Sequence, residues 1–282
     1  MKFGCCVNML PGAETLAGIA YARPLKELGY DYIELPMSRL AALEEGDFET
    51  VRDTLAGLEL PCRACNDFMP SRFQIVGEDP TPMGELEDYL AGAFDRLERL
   101  GVAVAVFGSP WSRSCPEEFS RGRAYEQIAA FLRRAGELAA HHGVTIAVEH
   151  NNRAETNMLN RYADAAAMAR MVDLPNVGTL CDYYHLRREG DDPEALLVTE
   201  RPPLHTHIAR LEGRRYFTTL TGEAEVLGRY VRTLARLGYA GGVSVEAPVT
   251  SPEAWRGMAE TNLRLLRTAF GDLVTEGPEK KE

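Results

Sequence analysis

Apolar positions along the chain alternate between two patterns, an amphipathic helical one and a short β-rich one. Several amphipathic stretches end in a glycine, and a β-rich run follows at once. This occurs at Gly29, Gly101, Gly143 and Gly238, with β-rich runs at 30–35, 102–107, 144–149 and 242–246. A glycine just past a helix adopts the left-handed cap conformation at low cost, and short helix-to-strand loops are typical of α/β units. The pattern predicts repeated α/β units.

The stretches between the β-rich runs have helical spacing. In one of them the apolar residues follow i, i+3, i+4, i+7 spacing: Leu86, Leu90, Ala93, Phe94, Leu97 and Leu100. The segment 125–142 has the same pattern, and Pro24 is predicted to kink or restart the first helix.

Eight strands are predicted, with helical patterns between them: 2–7, 32–35, 62–65, 102–107, 145–149, 177–181, 204–208 and 243–246. Strict alternation implies parallel strands, and eight units in 282 residues predict an α/β fold, a single (β/α)8 TIM barrel over 1–271. A doubly wound open sheet is the alternative, but the turn after the first strand has neither a GxGxxG nor a P-loop pattern. The polar segment 272–282 is predicted to be a disordered tail.

Composition and charge exclude several classes of protein. The chain is 45% hydrophobic and 26% charged, which is ordinary for a globular protein, and its formal net charge is −11. A nucleic-acid binder with this charge would need a local basic stripe. The pairs Arg121/Arg123 and Arg214/Arg215 are too short to make one, so we expect no nucleic-acid partner.

Membrane and disulfide signals are missing from the sequence. A membrane helix needs roughly 18 apolar residues in a row, and no run reaches that length. We therefore expect no membrane association and a cytoplasmic location. The six cysteines do not suggest a disulfide framework, and Cys62-Arg-Ala-Cys65 is a lone CxxC pair without a second pair for a zinc site.

Acidic and imidazole side chains stand where four successive predicted strands end. In order along the chain they are Glu149, Asp182, His207 and Glu246. A barrel carries its chemistry at the carboxyl ends of its strands, and three carboxylates with one imidazole suit a divalent cation such as Mn²⁺, Co²⁺ or Mg²⁺, with Zn²⁺ also accepted. Because side chains alternate along a strand, His205 shares the inward face and is predicted to lie deeper.

The same segments resemble a known family. Glu149-His-Asn-Asn-Arg153-Ala-Glu155-Thr-Asn157 resembles the Glu-x-x-Asn-Arg-x-Glu-Thr-Asn motif of the ketose 3-epimerases, which act on sugars such as D-tagatose and D-allulose and belong to the xylose-isomerase-like barrel superfamily. The segments Asp182 to His185 and His205 to His207 resemble its Asp-x-x-His and His-x-His motifs, and Glu246 resembles its last ligand.

The resemblance implies a set of roles. Glu149, Asp182, His207 and Glu246 would hold one ion, with Mn²⁺ favoured, and Glu149 and Glu246 would face each other across C3 of the sugar. Glu155 and His185 would bind the oxygens around C1 and C2, with help from Arg214 or Arg210. The implied activity is that of an isomerase, C3 epimerisation of a free ketose, in a homodimer or homotetramer.

The chemistry of the reaction agrees with these roles. Loss of a proton beside a ketone gives an enediolate, whose developing charge a Lewis acid stabilises. An epimerase removes the proton from one face and returns it on the other, and two opposed carboxylates can do both.

Other strand ends offer contacts for substrate. Trp111, after strand four, is predicted to be either a pocket wall or a core aromatic under a loop. Glu34, Asn66 and Asp67 end strands two and three and are expected to contact distal hydroxyls. His150 has the opposite strand parity to Glu149 and is expected to point outward and to be structural.

Three alternatives remain open on the sequence. Dehydratases of inosose or dehydroshikimate, hydroxypyruvate isomerases and the barrel subunit of C-glycoside deglycosidases use similar metal sites. The apurinic endonucleases need further His ligands on strands three and four, which are absent here. A barrel that binds without catalysis is the third.

Overall fold

The protein is described by a computed structural model of residues 1–271, so the tail predicted at 272–282 lies outside the described residues. Eight parallel strands close into a barrel in chain order. They are β1 (Lys2–Cys6), β2 (Tyr32–Pro36), β3 (Cys62–Asn66), β4 (Val104–Phe107), β5 (Thr145–Glu149), β6 (Val177–Asp182), β7 (His205–Ile208) and β8 (Gly242–Val245). The predicted TIM barrel is confirmed.

Helices cover the outside of the barrel, as in other barrels of this class. They are α1 (Ala22–Leu28), α2 (Met37–Ala42), α3 (Glu45–Leu58), α4 (Met83–Arg99), α5 (Pro110–Arg113), α6 (Arg121–His141), α7 (Tyr162–Val172), α8 (Tyr183–Arg188), α9 (Ala224–Arg236) and α10 (Pro252–Gly271). Two 3-10 helices, Thr15–Tyr21 and Pro193–Val198, complete the connections. Pro24 lies in the first turn of α1, where a missing N–H is tolerated, and the 3-10 helix precedes it.

The predicted glycine caps are present. Gly29, Gly101, Gly143 and Gly238 have φ values of 89°, 69°, 66° and 70°. Such values are unfavourable for residues with a Cβ, so these glycines end the helices and turn the chain into the next strand.

The main core lies between the barrel and the helices. An aromatic cluster shows how it is filled: the ring of Phe68 meets those of Phe94, Phe107 and Phe131 edge-on at centroid distances of 6.1, 5.5 and 6.2 Å. Within residues 1–271, no helix is both long enough and apolar enough to span a bilayer.

The parallel arrangement brings all eight carboxyl ends to one mouth of the barrel. The register pairs Asp182 with His207 across β6 and β7, and Cys6 with Glu34 across β1 and β2. Glu246 follows β8 directly, and its N–H donates to the carbonyl of Ile208 at 3.1 Å. Side chains from distant parts of the sequence therefore meet at this mouth.

Candidate active site

Four side chains meet at the mouth of the barrel, one from each of β5, β6 and β7 and one from the residue after β8. They are Glu149, Asp182, His207 and Glu246, and one donor atom from each lies within 4.8 Å of all the others. All four residues are buried. The Nδ1 atom of His207 is 3.1 Å from Glu149 Oε1 and 3.3 Å from Glu246 Oε2.

The two oxygens of Asp182 have different surroundings. Oδ1 accepts a hydrogen bond of 2.9 Å from the main-chain N–H of His185 and so caps α8. Oδ2 is buried and finds no hydrogen-bond partner within residues 1–271. Leaving a buried carboxylate oxygen unpaired is costly, and a cation among the three carboxylates would satisfy it. The donor set therefore fits a divalent ion.

Arg214 connects the glutamates of the site. Its guanidinium donates to Glu246 Oε2 at 2.7 Å and to Glu155 Oε1 at 3.3 Å, and it lies 3.8 Å from Asp182 Oδ2. The guanidinium of Arg210, the alternative arginine, instead lies 3.7 Å from the carboxylate of Glu212 on the loop after β7. Arg214 is thus the arginine that the fold brings to the carboxylates.

A second donor holds Glu246 from the opposite side. The side-chain amide of Asn66, at the end of β3, donates to Glu246 Oε1 at 2.9 Å. With Arg214 on Oε2, both oxygens of this carboxylate are oriented before any ligand binds.

Glu149 is held through the main chain and by a close approach to β4. The fully buried Arg113 donates to the carbonyl of Phe107 at 3.2 Å and to that of Glu149 at 2.8 Å, so it ties the ends of β4 and β5 together. A Cβ added at Gly108 would lie 2.3 Å from Glu149 Oε2. Gly108 therefore leaves the space that this carboxylate occupies.

The surroundings of the two glutamates move their pKa values in opposite directions. Burial raises the pKa of Glu149 to about 7. Burial also opposes the charge on Glu246, but His207 and Arg214 outweigh it and hold the pKa of Glu246 below its usual range. Two carboxyl groups whose pKa values differ in this way are typical of an acid and a base that act together.

His185 and Glu155 lie next to the cluster. The buried ring of His185 contacts the amide groups of Asn151 and Asn152 at 3.1 and 2.8 Å. Its Nε2 atom is 3.8 Å from Glu155 Oε2. Asn152 also donates to Glu155 Oε1 at 2.9 Å, so one asparagine orients both residues.

Two expectations about the strand ends need correction. Glu34 does not face a distal hydroxyl, because it is fully buried below the cluster and its oxygens are taken by His205, His207 and Ser244. The interpretation of Trp111 as a core aromatic is wrong, since it lies on α5 with 52% of its surface exposed. Its place as a pocket wall stays a prediction.

His150 and the two cysteines of the CxxC pair do not belong to the four-donor cluster. His150 is buried, and its ring packs edge-on against Tyr162 of α7 with 6.0 Å between centroids. The sulfurs of Cys62 and Cys65 are 3.8 Å apart and buried. Neither cysteine belongs to a group of possible metal ligands in the described part of the chain.

Residues 22–269 match the family model of the xylose isomerase-like TIM barrel. The chain belongs to this family. It is 27% identical over 263 residues to the ketose 3-epimerase of Arthrobacter globiformis, covering 91% of this chain and 88% of that one. The 3-dehydro-D-guloside 4-epimerase of Escherichia coli K12 is 26% identical over 211 residues, covering 69% of this chain and 74% of that enzyme.

A solved structure shows the same fold. The D-psicose 3-epimerase of Clostridium cellulolyticum H10, solved with D-tagatose, superposes with a TM-score of 0.82 at 17% identity, over 96% of this chain and 99% of that one. The predicted kinship with the ketose 3-epimerases is confirmed by these comparisons, and with it the isomerase class of enzyme.

Proposed function

We propose that this xylose-isomerase-like barrel is a metal-dependent epimerase that inverts C3 of a free ketose. The observation that carries the proposal is the cluster of four buried donors in which Glu149 and Glu246 approach Nδ1 of one histidine from two different strands. Both glutamates could reach a substrate carbon bound over this cluster. The kinship with ketose 3-epimerases supports the assignment of the reaction.

The residues that would hold the ion are Glu149, Asp182, His207 and Glu246. A bound divalent ion supplies a Lewis acid that favours negative charge on the neighbouring substrate oxygens. Three carboxylates and one imidazole suit Mn²⁺, Co²⁺ and Mg²⁺, and also accept Zn²⁺. Among these ions we predict Mn²⁺ from the resemblance to the ketose 3-epimerases.

The two glutamates move the proton. One carboxylate takes the proton from C3 on its face of the sugar, and the other, protonated, returns one on the opposite face. In the reverse direction the two exchange roles. Burial of both carboxyls keeps water away, so the proton that is delivered comes from the protein.

Neighbouring side chains orient Glu246 and are placed to bind the sugar. Arg214 and Asn66 fix the two oxygens of Glu246 and hold it as the ionised partner. Glu155 faces the same guanidinium, and with His185 it is placed to bind the oxygens around C1 and C2. Trp111 supplies an exposed aromatic face on which a sugar ring can pack.

A second candidate is epimerisation at C4 of a 3-keto glycoside, which the Escherichia coli relative favours. The chemistry is the same, because the carbon that loses its proton again stands beside a ketone. The homo-oligomeric state and the cytoplasmic location stay predictions.

Proton exchange in D2O tests the proposal. The Mn²⁺-loaded protein is incubated with fructose, allulose, tagatose, sorbose, ribulose and xylulose, and separately with a 3-keto glycoside. The ion is then removed and the sugars are examined by NMR. We expect deuterium at C3 together with a new epimer, and none in a control treated with a chelator. Deuterium at C1 with an aldose product would contradict epimerisation, and exchange only with a 3-keto glycoside would favour the second candidate.

A further inference from the structure

A ladder of buried polar side chains lies inside the barrel directly below the four-donor cluster. It consists of Tyr32 and Glu34 of β2, His205 of β7 and Ser244 of β8, and all four are buried. Because side chains alternate along a strand, His205 and Ser244 stand one layer below His207 and Glu246. The ladder has no substrate-facing surface, so its role must pass through the residues above it.

The carboxylate of Glu34 is the centre of the ladder. Its Oε1 lies 2.9 Å from His207 Nε2, and its Oε2 lies 2.9 Å from His205 Nε2. Ser244 donates its hydroxyl proton to Oε2 at 2.5 Å, and the Tyr32 hydroxyl, 2.9 Å away, can donate to Ser244. Three donors thus converge on one acceptor.

This arrangement decides where the protons of the two imidazoles lie. An ionised carboxylate only accepts hydrogen bonds, so both histidines must carry a proton on Nε2. In neutral His207 the lone pair then lies on Nδ1, the atom that faces Glu149 and Glu246. With the proton on Nδ1 instead, His207 could not be a ligand of the cluster.

Packing fixes the ring planes as well. The rings of His205 and His207 meet edge-on with 5.3 Å between centroids. The phenol ring of Tyr32 fills the space beneath, where a Cβ at Gly4 would lie 2.1 Å from a ring carbon and one at Gly242 would lie 2.5 Å from the hydroxyl oxygen. The ladder therefore has little room to rearrange.

We propose that Glu34 is a positioning residue, which holds His207 in the Nε2–H tautomer and aims its Nδ1 at the ion of the cluster. The inference rests on the proposed function, because it requires an ion at the four-donor cluster. Metal-ligating histidines commonly donate their second N–H to a carboxylate, and removing that partner costs about 10- to 100-fold in metal affinity.

The ladder could in principle be a second metal site, because Glu34, His205 and His207 also lie within 4.8 Å of one another. The two 2.9 Å separations are ordinary hydrogen-bond lengths, and each joins a different carboxylate oxygen to a different imidazole. Hydrogen bonding accounts for the positions of Glu34, His205 and His207 without a second ion, so we assign one ion per chain.

The variant Glu34→Gln tests the proposal. A carboxamide keeps the shape of the side chain but has a single acceptor oxygen, so one imidazole loses its acceptor. The dissociation constant for Mn²⁺ is measured by competition with a fluorescent chelator, with the ion-to-protein ratio from elemental analysis. We expect one ion per chain and a 10- to 100-fold weaker affinity in Glu34→Gln. The control Ser244→Ala removes a hydroxyl 3.1 Å from His205 Nε2 but keeps the contacts of Glu34 with both imidazoles, and it should bind Mn²⁺ within about threefold of wild type.

A second measurement needs no variant. Nitrogen-15 NMR of the histidine rings in the wild-type protein, free and loaded with diamagnetic Zn²⁺, reports which nitrogen carries the proton. We expect an Nε2–H on both His205 and His207, shifted downfield by the carboxylate. This result stands even where Glu34→Gln does not fold.

Each outcome decides a separate point. An affinity within threefold of wild type in folded Glu34→Gln, or a proton on Nδ1 of His207 without one on Nε2, overturns the role of Glu34. Two ions in the wild type and one in Glu34→Gln would make Glu34 a ligand instead. A wild-type protein that binds no ion would overturn the proposed function, while the NMR result would still report on the tautomer.

Discussion

The two halves of the barrel interior are filled in different ways. The half lined by β4, β5 and β6 is apolar, with Val106, Ala147 and Leu180 forming a cluster separate from the core outside the barrel. The half lined by β2, β7 and β8 holds the hydrogen-bonded ladder of Tyr32, Glu34, His205 and Ser244. Both halves lie beneath side chains of the four-donor cluster at the mouth of the barrel.

The two halves position the candidate metal-ligating side chains above them in different ways. Above the apolar half, Glu149 is placed by the main-chain bonds of Arg113 and by the space at Gly108, and Asp182 by its own cap on α8. Above the polar half, His207 depends on the side chain beneath it. Changes in the apolar half should therefore lower stability, and loss of the Glu34 carboxylate in the polar half should lower metal affinity.

The largest effect is expected at the glutamates that stand above both halves. Glu149→Gln and Glu246→Gln each remove an acid/base group, a kind of change that costs about 10²- to 10⁴-fold in rate. Steady-state kinetics on the sugar identified by the exchange experiment measure this loss, with circular dichroism to show that the fold remains. Glu212→Gln, on the exposed loop after β7, is the control and should leave the rate unchanged. Near-normal turnover in either site variant would contradict the two-carboxylate mechanism.

Truncation of a side chain in the apolar half tests whether this half contributes to stability rather than to metal affinity. Leu180→Ala leaves a cavity inside the barrel and should lower the free energy of unfolding by about 2–5 kcal/mol. Leu180 is paired with His205 across β6 and β7, but its side chain makes no hydrogen bond to the ladder, so the Mn²⁺ dissociation constant should stay within threefold of wild type. Chemical denaturation and the chelator competition measure the two quantities. A large loss of affinity with little loss of stability would reverse the assignment of the two halves.

A methyl group at Gly108 should act on Glu149 alone. The added Cβ would lie 2.3 Å from Glu149 Oε2, so the carboxylate must move away from the cluster. We expect Mn²⁺ affinity to fall roughly tenfold, the lower end of what disturbed ligand orientation costs. Gly92→Ala in α4 is the matched control, since nothing lies within 4 Å of the added atom. Equal affinity in the two variants would show that Glu149 does not depend on this space.

The smallest expected effect is the contribution of His150 to the pH dependence of the free energy of unfolding. Burial, and then the nearby His185, lower the pKa of His150 to about 3, whereas a histidine in the unfolded chain titrates near pH 6.5. The neutral ring is thus favoured in the folded state. Its contribution to stability is complete above about pH 6.5 and is lost as the pH falls toward 3, by at most about 1.4 kcal/mol per pH unit.

Unfolding of the metal-free protein between pH 7 and pH 5 measures this term. In His150→Asn the free energy of unfolding should fall less steeply with decreasing pH than in the wild type. His141→Asn, at the exposed end of α6, should keep the wild-type dependence. The same slope in wild type and His150→Asn would show that His150 is not held neutral.

Much of the fold followed from local signals. Glycine caps and alternating patterns placed all eight strands within two residues of their observed ends. The largest shift is in β4, predicted from residue 102 and observed from Val104. Val102 instead donates its N–H to the carbonyl of Leu97 at 2.9 Å and closes the turn after α4. A β-branched residue such as Val102 fits either a strand or the turn before it, so the residue type alone does not show where β4 begins.

The site was only partly predictable, for a physical reason. Glu149, Asp182, His207 and Glu246 could be predicted because the carboxyl ends of parallel strands meet. Glu34 was missed as a support because it resembles any carboxylate near a strand end. Its position two residues before Pro36, the last residue of β2, was the signal that it lies a layer deeper.

Arg113 could not be found from the sequence at all. Two of its hydrogen bonds go to the main-chain carbonyls of Phe107 and Glu149, a group that every residue possesses, and a third goes to the side-chain oxygen of Asn151. Its burial follows only from how the ends of β4 and β5 meet in three dimensions. Groups that act through the backbone carry no pattern of their own.

The central claim is that Glu149 and Glu246 serve opposite faces of the substrate. It is tested most directly by proton exchange at C3 in the single variants Glu149→Gln and Glu246→Gln, loaded with Mn²⁺ and incubated in D2O with each of the two epimers separately. We predict that neither variant epimerises, and that each exchanges the C3 proton of one epimer only, a different epimer for each variant. Exchange of the same epimer by both variants, or epimerisation by either, would contradict the account.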